Sequence, residues 1–166
     1  MAVQKILQLG DPALYEITEE VQESEMHRYR MVIADMHDTV MDFRLKHGFG
    51  RAIAAPQIGI NKRLVYMFIN EPRVFVNPVL SDFDRQMLTI WDNCLSFPFL
   101  SVKVKRHAAC TIDYFDIKWS RKSERLEGEL SELLQHEVDH LDGILAIQRA
   151  VDTKAFAVRG HEQYDK

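Results

Sequence analysis

The chain has 166 residues, 46% apolar and 28% charged, with a formal net charge of -4, the composition of an ordinary folded domain and not of a fibrous, low-complexity or disordered chain. The acidic balance speaks against specific nucleic-acid binding, with Lys103, Lys105 and Arg106 read as a solvated strand edge. No apolar run of about 18 residues predicts a membrane span.

A chain of this length buries roughly two-thirds of its unfolded surface around one core, so a single domain over 1–166 is expected. The N-terminal MAVQKILQLGDP shows no apolar stretch behind a basic start, which predicts a cytoplasmic protein. Its two cysteines, Cys94 and Cys110, then stay reduced. The first predicted element is a long helix over 24–46, with Met26, Tyr29, Ile33, Met36, Val40 and Phe43 on one face. Ser24 is its expected cap and Gly48 its stop. GFGRAIAAPQIG follows, a small-residue stretch expected to be irregular and to allow close backbone approach.

Short β-like runs come next, over 63–69, 73–80, 87–91, 101–106 and 111–118. Their connections are too short for crossover helices, so antiparallel pairing is expected. A second helix is predicted over 127–141, ending near Gly143. The order helix, strands, helix predicts an α+β fold. ILAI near the C-terminus is read as a further strand, followed by a short helix.

The second helix carries H-E-x-x-H as His136, Glu137 and His140. Residues four apart on a helix stand one above the other, so both imidazoles reach one ion while Glu137 stays free to handle a proton. A hydrolytic site of this kind takes a third protein ligand and keeps a position for water. The extended motif with a third histidine fails at Ala146. Glu162 has a workable spacing but sits in a polar C-terminal stretch, a poor place to hold a ligand rigidly. Cys94, in the irregular-looking W-D-N-C-L-S-F-P, is the better candidate, since a thiolate suits a borderline-soft divalent ion. Cys110 lies in a strand pattern and reads as core. Asp139 reads as a structural hydrogen-bond acceptor, off the histidine stripe.

Three ordered stretches, G-x-A-x-A-A-P-Q at 50–57, C-L-S at 94–96 and Q-H-E-x-D-H-L-x-G at 135–143, together with LQLGDPALYEIT near the start, resemble the peptide deformylases. The resemblance implies antiparallel sheets around a central H-E-x-x-H helix. It also implies one divalent ion, Fe2+ with Zn2+, Ni2+ or Co2+ as substitutes, held by Cys94, His136 and His140. Glu137 would handle the proton of an attacking water, and Gln57 and the Leu95 N–H would hold the oxyanion. The implied substrate is an N-formylated peptide, including ribosome-associated nascent chains, from which formate is released by hydrolysis of a formamide C–N bond.

The departures gather around the substrate. Gly50, Arg51, Ala52, Asp92, Asn93, Glu129, Glu132 and Leu133 match the family's substrate-binding positions. Among them Ala52 stands for a glycine and Asp92-Asn93 for Glu-Gly, while Arg51, Glu129 and Glu132 replace aliphatic residues. Ser101 stands where an arginine binds the peptide backbone. A charge in an apolar pocket is costly unless paired, so Arg51 and Glu132 are expected either to pair across the pocket or to turn out to water. Two alternatives stay open beside formyl-methionine deformylation: a related amide hydrolase on another formylated or acylated substrate, and a non-catalytic metal-binding relative. Glu137 and Gln57 speak against the last, because a purely structural site requires neither.

Overall fold

The apolar stripe read over 24–46 is the buried face of helix α1, Met26–His47, in the computed structural model, which describes residues 2–163. Met26, Ile33, Met36, Val40 and Phe43 are buried along it, at the three-, four- and seven-residue steps of one helical face. Gly48 closes it in the left-handed region at φ 76°, its N–H bonding to the Arg44 carbonyl at 2.8 Å. Ser24 does not cap the start. A 3₁₀ turn, Glu23–Glu25, precedes the helix and moves the free N–H groups upstream, and the Glu25 carboxylate accepts from the Gln22 N–H at 2.9 Å.

The small-residue stretch is only partly irregular. Ala52–Ala54 forms a short strand, β1, before a 3₁₀ turn over Ala55–Ile58. Then come β2 (Leu64–Phe68), β3 (Pro72–Ser81), β4 (Met87–Asn93), β5 (Leu100–His107), β6 (Ala109–Phe115) and β7 (Arg121–Glu127). Helix α2 spans Gly128–Leu141, and β8, Phe156–Val158, comes last. One sheet runs β1-β2-β3-β6-β7 and the other β4-β5-β8, and the neighbouring strands in both are antiparallel.

One strand was not foreseen and two local expectations are corrected. RKSERLE, between the last predicted strand and the second helix, is β7, paired with β6 from Phe115↔Arg121 to Ala109↔Glu127 and burying only Leu126; charges suit an edge strand whose outer side faces water. ILAI is not a strand: Ala146–Arg149 is a 3₁₀ turn, because Gln148 Oε1 takes the Leu145 N–H at 2.8 Å and closes the chain on itself. The short C-terminal helix is replaced by β8, which completes its backbone hydrogen bonds on β5. The last part of that stretch, 164–166, lies outside the described residues.

Every residue of α2 from Ser131 to Leu141 is buried. The helix packs on β1, β3, β6 and β7 of one sheet and on β5 of the other, so the α+β order is the one the sequence pattern predicted and the central H-E-x-x-H helix the one the resemblance implied. Its end is held by the N-terminal segment, where the Thr18 N–H and hydroxyl both donate to the Leu141 carbonyl at 2.9 Å. Gly143 follows at φ +70°, and a Cβ there would stand 2.5 Å from the Tyr15 carbonyl oxygen. Both the left-handed backbone and the clash penalise a side chain. Gly143→Ala is therefore expected to cost about 2–3 kcal/mol, lowering the melting temperature by roughly 5–10 °C in thermal unfolding; an unchanged midpoint contradicts this packing.

Cys110 is fully buried in the core, as its strand pattern implied, and neither it nor Cys94 is in a disulfide. No helix among the described residues is long and apolar enough to cross a membrane.

Candidate metal centre

Asp92 and Asn93 end β4 and are not part of an irregular segment. The chain turns directly after them, the Phe97 N–H reaching the Cys94 carbonyl at 3.2 Å, and this turn points Cys94 at α2. Cys94 Sγ lies 3.2 Å from His140 Nε2, which lies 3.2 Å from His136 Nε2. All three residues are buried, and their donor atoms lie within 4.8 Å of one another. One thiol and two imidazoles converging on a common point are the donor set of a borderline-soft divalent ion. Glu162 takes no part: its carboxylate accepts from the Ser101 hydroxyl.

The second nitrogen of His136 is fixed by Asp92, whose Oδ2 is 2.9 Å from Nδ1. A carboxylate only accepts, so Nδ1 carries a hydrogen, and Nε2 is the nitrogen turned toward Cys94 and His140. Burial works against the Asp92 charge, but His136 and Arg106 outweigh it and hold its pKa at about 2. His140 is pushed below the usual histidine range by burial and by the neighbouring His136, which keeps it neutral and ready to ligate. Its Nδ1 is buried without a protein partner among the described residues.

Sequence reasoning missed Arg106, read as part of a solvated edge. It is 3% exposed, donating to Asp92 Oδ2 at 3.0 Å and to Asp139 Oδ2. Asp139 is indeed an acceptor and also binds Arg149 Nη2 at 2.8 Å. A chain of alternating charges thus runs from His136 through Asp92, Arg106 and Asp139 to Arg149. The signal was available in β5, where strand alternation puts Arg106 on the face of Val102 and Val104, both buried.

Glu137 is 3% exposed, and burial raises its carboxyl to about 7. Its Oε2 is buried with no partner among the described residues, a costly condition that a substrate or water proton would relieve. Gln57 is oriented by the Ala54 N–H, which donates to Oε1 at 2.9 Å. The opposite end, Nε2, then faces the centre, 3.5 Å from Cys94 Sγ and 3.1 Å from Ser96 Oγ. Leu95 follows Cys94 in the turn and is buried.

The centre opens into a cavity of about 670 Å³. Gly50, Arg51 and Ala52 line one side of it and Asp92 and Asn93 another. Glu129, Glu132 and Leu133 of α2 complete the wall next to His136. Arg51 and Glu132 do pair, Nη2 to Oε1 at 2.6 Å. Ser101 is buried, bonded to the Asn93 side chain at 2.6 Å and to Glu162.

A family model described as polypeptide deformylase matches residues 3–156. The chain belongs to the peptide deformylase family. A peptide deformylase of Leptospira biflexa is 34% identical over 170 aligned positions, covering 94% of this chain and 92% of the relative. The crystal structure of the peptide deformylase of Thermotoga maritima superposes with a TM-score of 0.83 at 30% identity, over 92% of this chain and all of the other. A Met-Ala-Ser-bound class I type b peptide deformylase of Acinetobacter baumannii gives 0.79 at 29% identity, over 89% of this chain and 98% of the other. Peptide deformylases are metal-dependent, and this chain has the Cys-His-His group such an ion needs.

Proposed function

We propose that this deformylase-family chain acts as a single metallohydrolase domain that removes the formyl group from the N-terminal formyl-methionine of nascent peptides in the cytoplasm, releasing formate. The observation that carries the reading is the buried, unpartnered carboxylate oxygen of Glu137 beside the converging Cys94, His136 and His140. A structural metal site has no use for such a group. The relative bound to Met-Ala-Ser supports a peptide as substrate.

Cys94, His136 and His140 would hold the ion, which we take to be Fe2+, with Zn2+, Ni2+ or Co2+ able to replace it. When bound, a divalent ion supplies Lewis acidity and lowers the pKa of a water toward neutrality. Glu137 accepts the proton of the attacking water and returns it to the amine leaving from the formamide C–N bond. Gln57 Nε2 and the Leu95 N–H donate to the oxygen on which charge develops. Asp92 keeps the His136 ring in one tautomer throughout.

The test is an anaerobic formate-release assay on iron-reconstituted protein with formyl-Met-Ala-Ser. Formate is expected from the wild type, and Cys94→Ala is expected to lose both bound iron and formate release. Equal turnover by the variant would remove Cys94 from the site. The Arg51–Glu132 pair favours a second reading, in which another formylated residue is the better substrate.

A further inference from the structure

The cavity wall nearest the ligands is charged. Glu132 lies four residues before His136 on α2, so their backbone positions stand about 6 Å apart along the helix axis. Its side chain is 11% exposed and is held by Arg51 Nη2 at 2.6 Å, while Arg51 Nη1 stands 3.6 Å from Glu129 Oε2. One guanidinium therefore faces two carboxylates, of which Glu129 is 91% exposed and Glu132 is enclosed in the wall. Arg44 also lines the cavity and keeps its positive charge while donating to the neutral Gly50 and Phe68 carbonyls at 2.8 and 2.6 Å, and Asp92 is paired with Arg106. Only one Glu132 oxygen is engaged by Arg51. Burial, partly offset by Arg51, raises the Glu132 carboxyl above the usual range, in line with incomplete neutralisation.

With the formyl carbon beside Glu137, a side chain on the formylated residue reaches roughly 4–6 Å at bond lengths of about 1.5 Å. That is comparable with the rise of about 6 Å from Glu132 to His136 along α2. An apolar side chain arriving there strips water from the cluster and returns no hydrogen bond. A side chain ending in a donor replaces that water.

We infer that Arg51, Glu132 and Glu129 select N-formylated residues whose side chain ends in a hydrogen-bond donor, amide or ammonium, over methionine-like apolar ones. This rests on the deformylase reading. Because Arg51 is partly solvated and Glu129 is almost wholly so, the selection is expected to be tenfold to about a hundredfold, below the roughly 10⁴-fold of fully buried polar recognition.

The test measures kcat/KM for formate release from formyl-X-Ala-Ser with X as norleucine, methionine, glutamine, lysine or glutamate. In the wild type, glutamine and lysine are expected to exceed norleucine and methionine at least tenfold, with glutamate poorest. Arg51→Leu/Glu132→Ile removes both partners together, and its order is expected to reverse toward norleucine. A wild type that favours norleucine or methionine, or a ratio unmoved in the double variant, overturns the selection. Should that variant fail to fold by circular dichroism, the wild-type ratio alone decides. Absence of formate from every peptide overturns the deformylase reading and the selection with it, whereas turnover with the wrong order overturns the selection alone.

Discussion

Glu137→Gln is expected to slow formate release by roughly 10²- to 10⁴-fold, the range contributed by a positioned general acid–base, while iron content stays near that of the wild type. Glutamine keeps the shape of the side chain but neither accepts the proton of water nor delivers it to the amine. The same substitution has an expected effect on stability that opposes its effect on rate. Burial raises the Glu137 carboxyl to about 7, and an acid whose pKa rises on folding costs stability wherever it is charged. The neutral amide removes that cost. Metal-free Glu137→Gln is therefore expected to melt at the same or a higher temperature than the metal-free wild type at pH 8. Steady-state kinetics and a thermal scan check both halves; a rate within threefold of the wild type would take the proton-transfer role away from this residue.

The second large effect is expected at a residue outside the centre. Arg106→Met leaves Asp92 without its guanidinium partner and Asp139 dependent on the half-exposed Arg149. Breaking a buried ion pair by removing one partner costs about 3–5 kcal/mol, since the remaining charge stays desolvated. For a chain of this size that lowers the melting temperature by on the order of 10 °C. Because Asp92 also fixes His136, metal affinity is expected to fall roughly 10- to 100-fold. Competition with a chelator measures the second quantity independently of the first. A destabilised variant with unchanged metal affinity would mean that Asp92 orients His136 without help from Arg106.

What the amino-acid order conveyed by itself was local and periodic. Helix α1 and its Gly48 stop follow from steps of three and four residues and from a left-handed closing glycine. The H-E-x-x-H pair follows from the same geometry, since residues four apart on a helix meet whatever surrounds them. Cys94 was reached by weighing donor chemistry and was then implied by the family resemblance; the 3.2 Å approach of its sulfur to His140 spans 46 positions.

Tertiary structure decided the rest, because the forces concerned act between segments far apart in the chain. β7 has the composition of a solvated charge run and becomes a strand because β6 offers it backbone partners. ILAI has strand composition and becomes a turn because Gln148 closes it. β5's alternation contained the buried face of Arg106, but the carboxylates that make burial of a cation tolerable come from β4 and α2. Arg51 and Glu132 were visible as charges where the family carries aliphatic residues. Whether they faced water or each other depended on packing between segments 81 positions apart, and the 2.6 Å contact answers it. The H-E-x-x-H pair of histidines was thus written in local spacing, while the convergence of Cys94 on it and the charge pairing in the cavity wall arose from long-range contacts that no local pattern encodes.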